Sequence, residues 1–117
     1  MLLKYKGRVV ARLSYAKGLL ATTRGLMLRK RLPEGHGIIM SLNPDKQYSV
    51  HMLFMRFPID VLVLNTSLEV LSTHTLTPWR DIIKISGARW IIELNAGVLE
   101  QAHISPEDYV ELLENDE

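Results

Sequence analysis

Cysteine is absent from this 117-residue chain, which excludes disulfides, thiolate metal sites and a cysteine nucleophile. A surplus of either charge is absent as well. Fourteen Lys and Arg against thirteen Asp and Glu leave a formal net charge of +1, far from the basic footprint of a general nucleic-acid binder. Long apolar runs are missing too. The longest uninterrupted ones, residues 52–55 and 61–64, fall well short of the roughly 20 residues that a membrane span requires. A secretory leader needs a basic start followed by an apolar region of about 7–15 residues. Here Met1-Leu2-Leu3 runs at once into Lys4, Lys6 and Arg8, so the start reads as mature protein and the expected location is the cytoplasm.

What is present is an ordinary globular composition, 47% hydrophobic and 23% charged, at a length that fits one domain over residues 1–117. Residues 2–13 alternate loosely between apolar and basic, interrupted by Gly7, and read as two short strands or one bent strand. Ser14 is a plausible N-cap for a helix through Tyr15, Ala16, Leu19, Leu20 and Thr23 that ends near Gly25 or Leu28. Arg29-Lys30-Arg31 and the Pro33-to-Gly37 stretch then form a solvated loop. Strands are expected at 38–42, 49–55, 59–64, 68–76, 88–94 and 109–113, with a short extended piece at 82–87 and a helical turn at 98–103. The fold class is α+β and mostly β: a β-barrel-like or sandwich domain of antiparallel strands with one α-helix in its N-terminal half.

Residues 51–65, the most hydrophobic stretch, nevertheless carry His51, Arg56 and Asp60. A charged group that leaves water without a partner is costly, so such residues are paired, placed at an edge or functional. Pro58 makes the corner before 59–64, which lacks polar alternation and therefore reads as buried on both faces.

Gly25-Leu26-Met27, Met55-Arg56-Phe57-Pro58-Ile59-Asp60, Glu93-Leu94-Asn95-Ala96-Gly97, and Ile104 leading to Asp108-Tyr109-Val110 occur in an order and spacing that resemble domain-of-unknown-function family 192. The likeness runs over about residues 8–113, and its most specific piece is Met-x-x-Pro-Ile-Asp with its hydrophobic continuation. Two departures stand out. Leu94-Asn95-Ala96-Gly97 replaces the usual Leu-Pro-Ala-Gly, and Glu107-Asp108 replaces the usual Gly-Asp, which puts a non-glycine residue in a tight turn. The resemblance implies a compact, mostly β fold with a helix near its start, and no particular activity.

Asp60, at the mouth of the most buried strand, is read either as an architectural tie or as an acid–base or ligand-binding group. Arg56, with its planar fork of donors, suits a carboxylate or phosphate. Glu93 shares a strand face with Ile91 and, if that face lines a cleft with Asp60, two carboxyls can split their pKa values. Trp79 is a wall for a ligand or a lid on the core. His36, His51, His74 and His103 lack the spacing of a metal site, and no cofactor motif is present. The leading reading is a domain that binds a small polar or anionic ligand, or a protein partner, with Arg56, Asp60, Trp79, Glu93 and His51 as ligand-binding candidates. Its rivals are an enzyme that uses Asp60 and Glu93 as acid and base, and an assembly module pairing strand edges into a homodimer.

Overall fold

A computed structural model describes residues 1–16, 32–51, 57–78 and 82–114, with His51 described by its backbone alone. The expected corner and turn positions divide it into nine strands and one short helix among the described residues: β1 (Leu2–Tyr5), β2 (Arg8–Tyr15), β3 (His36–Ser41), β4 (Gln47–His51), β5 (Ile59–Leu64), β6 (Val70–Leu76), β7 (Ile82–Ser86), β8 (Trp90–Asn95), α1 (Val98–Ala102) and β9 (Glu111–Leu113). Seven strands form one sheet in the order β6-β5-β8-β3-β2-β1-β9, and β4 pairs with β7 in a second, two-stranded sheet.

The break at Gly7 is a tight turn. Lys6 and Gly7 both take left-handed angles, φ 51° and 80°, the pair that a two-residue type I′ hairpin demands, so the N-terminal stretch is two strands. At the far end Glu107 holds φ 78°, the strained non-glycine position anticipated from Glu107-Asp108. The sheet curls into a half-barrel because its two ends approach each other. Glu69 bridges Tyr109, and the Val70 N–H donates to the Asp108 carbonyl while the Glu107 N–H donates to the Val70 carbonyl.

Curling gives the sheet two apolar faces. The inner cluster contains Leu3, Leu13, Ile39, Leu62, Leu64, Ile92 and Leu94, with Leu99 and Ile104 from α1 and its exit. The outer cluster contains Met40, Ile59, Val61, Val63 and Ile91, covered by Val50 and Ile85 of the small sheet and by Leu32 and Phe57. Strand β5 contributes to both, and all six of its residues are buried, which is why its sequence shows no polar alternation.

Two expectations need correction. Ser14 and Tyr15 do not begin a helix; they pair in parallel with Ile38 and Ile39, and the Ala16 N–H donates to the Ile39 carbonyl at 2.9 Å. The ladder to β3 satisfies the backbone groups that an N-cap would otherwise have to satisfy. Buried Ala11 and Leu13 alternate with exposed Arg12 and Ser14, the period of a strand with one face in the core. The rest of that expected helix, Arg29-Lys30-Arg31 and Met52–Arg56 lie outside the described residues. The strands are also not all antiparallel, since β2 and β3 run in the same direction.

Candidate functional site

Asp60 is the second residue of β5, 1% exposed, and register with Leu94 and Thr75 places it on the inner face. Its carboxylate accepts three hydrogen bonds: from the Thr75 hydroxyl at 2.7 Å on Oδ1, and from the Gly97 and Leu99 N–H groups, each at 3.0 Å, on Oδ2. The physical need is plain. Helix α1 starts after Gly97, which has φ 96° and no side chain to cap the helix, yet the first N–H groups of any helix lack intrahelical partners. Asp60 supplies the missing cap from another strand, on the favourable, positive end of the backbone dipoles.

The same carboxylate borders an open cavity of about 360 Å³, lined by Asp60, Thr73, His74, Thr75, Gly97, Leu99, Glu100 and Ile104. It lies at the mouth of the half-barrel, between the β5–β6 edge and α1. Thr73 and Thr75 alternate with His74 along β6 and so present their hydroxyls beside Asp60. Among the described lining residues the charged side chains are both acidic, Asp60 and Glu100.

Glu93 lies on the other side of the sheet. In β8 it stands opposite Val61 of β5 and Ile38 of β3, both outer-face residues, whereas Asp60 stands opposite Leu94, an inner-face one. The pleat therefore points the two carboxyls to opposite faces. Glu93 is 4% exposed and its Oε1 has no hydrogen-bond partner. Burial alone pushes its carboxyl up to about 7, because ionisation in an apolar setting is penalised. In the same cross-strand row, one strand beyond Val61, His74 Nε2 lies 2.9 Å from the Ser72 hydroxyl, and burial lowers its pKa.

The structure thus separates the expected site residues. Asp60 and Glu93 cannot act together on one substrate, and the shared acid–base cleft is withdrawn. Arg56 and Trp79 lie outside the described residues, and His51 is placed only by its backbone pairing with Ile82. Thr73, Thr75 and Glu100 were not anticipated. The hairpin expected around Asn65 held the signal for Thr75, but a register shift between Val63 and Leu64 prevents the residue opposite Asp60 from being counted from the turn. Among the described residues no cluster of three or more His, Asp or Glu is arranged to hold a metal ion, and no helix is long and apolar enough to cross a membrane.

Comparison with known proteins places this architecture in context. The chain is 35% identical over 98 residues to a UPF0127 protein of Thermococcus sibiricus, covering 83% of this chain and 64% of that one. A UPF0127 protein of Pyrococcus furiosus is also 35% identical over 98 residues, covering 83% of each. Two crystal structures share the fold. A Sinorhizobium meliloti protein, provisionally described as a transcription regulator, superposes with a TM-score of 0.78 at 24% identity, over 94% of this chain and 88% of that one. A Novosphingobium aromaticivorans protein of unknown function gives 0.80 at 22% identity, over 95% and 84%. The profile of the DUF192 family, described as an uncharacterised ACR family, matches residues 1–112, and the chain belongs to that family.

Proposed function

We propose that the protein is a small-ligand binding domain whose site is the cavity at the mouth of the half-barrel. The observation that supports this reading is a nearly fully buried carboxylate, Asp60, forming the polar end of an open cavity of about 360 Å³, within the usual range of small-molecule sites. Three protein donors occupy Asp60, two of them on Oδ2, so Oδ1 retains acceptor capacity for a ligand. Thr73 and Thr75 hydroxyls both donate and accept, and Glu100 adds a second acceptor at the rim. This chemistry favours a neutral or cationic ligand rich in hydroxyl or amine donors, such as a polyol or a small amine. The anionic ligand that Arg56 suggests does not suit a wall whose charges are acidic. Arg56, His51 and Trp79 enter the reading by sequence alone. A nucleic-acid role, which the description of the Sinorhizobium structure brings to mind, finds no support in a net charge of +1.

A thermal-shift panel of polyols, amines, phosphate and carboxylates tests the reading, since a ligand that binds only the folded state raises the melting temperature. Stabilisation by hydroxyl- or amine-bearing compounds, lost in Thr73→Val and Glu100→Gln, is the expected result. Stabilisation by anions alone, or shifts that survive both substitutions, would refute it.

A further inference from the structure

Glu93 sits where a carboxyl has least reason to be. Strand β8 is the middle of the β5-β8-β3 triplet, and ladder partners Val61 and Ile38 flank Glu93 on either side. Its face is the outer one, packed with Ile59, Val61 and Ile91 and covered by Val50 and Ile85 of the small sheet, Leu32 and Phe57. The described polar groups near this interface are otherwise engaged. The Asn95 amide, two residues along β8, bonds both the N–H and the carbonyl of Leu32. His74, beyond Val61, meets Ser72. From the covering sheet the Tyr48 hydroxyl accepts the Asn43 N–H, and Lys84 is exposed. Glu93 Oε1 is bonded to none of them, and among the described residues no charged group contributes to the rise in its pKa, which comes from burial.

We propose that Glu93 is a proton-held latch between the large sheet and its outer layer: protonated, it lets the β4–β7 sheet stay packed, and ionised, it draws in water and lifts that layer. An ionised carboxylate with an unbonded, buried oxygen must gain solvent or lose its proton. Strand β8 cannot yield, because backbone ladders tie it on both edges. The β4–β7 sheet forms no ladder with the large sheet and is held by side-chain packing, so it is the part that moves. This latch lies on the face opposite the Asp60 cavity and stands or falls independently of the ligand reading.

Hydrogen exchange measured at about pH 6 and pH 8, corrected for intrinsic base catalysis, tests it. With the carboxyl near 7 when packed and near its ordinary value when wet, opening of the layer should grow about tenfold over that interval. Amides of β4 and β7 should therefore lose about tenfold protection relative to β1, β2 and β9 in the native protein, and should not in Glu93→Gln. Equal loss in the variant, equal loss in every strand, or no loss in β4 and β7 would overturn the proposal. Should Glu93→Gln fail to fold, the carbon-13 carboxyl titration of native Glu93 decides. A midpoint near 7, followed by the amide shifts of β4 and β7, supports the latch; an ordinary carboxylate midpoint ends it.

Discussion

Replacing Asp60 by alanine and by asparagine separates its capping role from its charge. In Asp60→Ala the Leu99 N–H loses its acceptor in a buried setting and the Gly97 N–H in a partly buried one. A stranded donor costs about 1–3 kcal/mol, and the Thr75 hydroxyl, near the surface, can turn to water. The expected loss is therefore roughly 3–5 kcal/mol, a large share of the about 5–15 kcal/mol that holds a domain together. At this chain length about 4 °C of melting temperature corresponds to each kcal/mol, so the melting point should fall by about 12–20 °C. Asp60→Asn behaves differently. Its amide oxygen can accept from Gly97 and Leu99 while its NH₂ faces the Thr75 oxygen, which can accept in turn. What disappears is the charge assistance, and the loss should be about 1–2 kcal/mol. Urea and thermal unfolding of both variants measure the contrast. Equal losses in the two, or an alanine variant within about 1 kcal/mol of the native protein, would refute the view that Asp60 caps α1 across the barrel mouth.

Glu93 makes stability fall with rising pH. Its folded form keeps a proton that the unfolded chain releases, so stability is full below the ordinary value of 4.5 and declines up to about 7, by roughly 3 kcal/mol in all. The difference in unfolding free energy between native protein and Glu93→Gln should widen across that window, and parallel curves would contradict it. His74 works in the opposite sense: burial lowers its pKa, so the unfolded chain takes up protons that the folded one refuses, and stability drops as pH falls below about 6.5. Substituting His74→Gln should flatten this acid limb in pH-dependent melts, and an unchanged limb would show that other groups produce it. At Gly37 a Cβ would lie 2.6 Å from Leu94 Cδ2 and 2.9 Å from the Glu93 carbonyl oxygen. Gly37→Ala should lower stability by about 1–3 kcal/mol, and a native-like melting temperature would mean that β3 and β8 shift apart freely.

The sequence determined the β-rich class, the burial of β5 on both faces, a break at Gly7, the short helical turn after Gly97 and the strand face of Glu93. These follow from side-chain period and from local backbone preference, both of which act over a few residues. It also carried the family likeness. Tertiary structure decided what the polar residues do. Asp60 and Glu93 look equivalent in the chain, each a carboxylate in an apolar strand, and one residue of register sends them to opposite faces. There one meets the uncapped end of a helix that begins 38 positions later and the other is buried on the outer face with its Oε1 unbonded. Likewise Ser14 and Tyr15 have a sequence compatible with a helix start, yet a parallel partner distant in the chain claims their backbone groups. Pairings of this kind depend on which strands become neighbours when the sheet curls, a choice made by the whole core and by no single stretch of it.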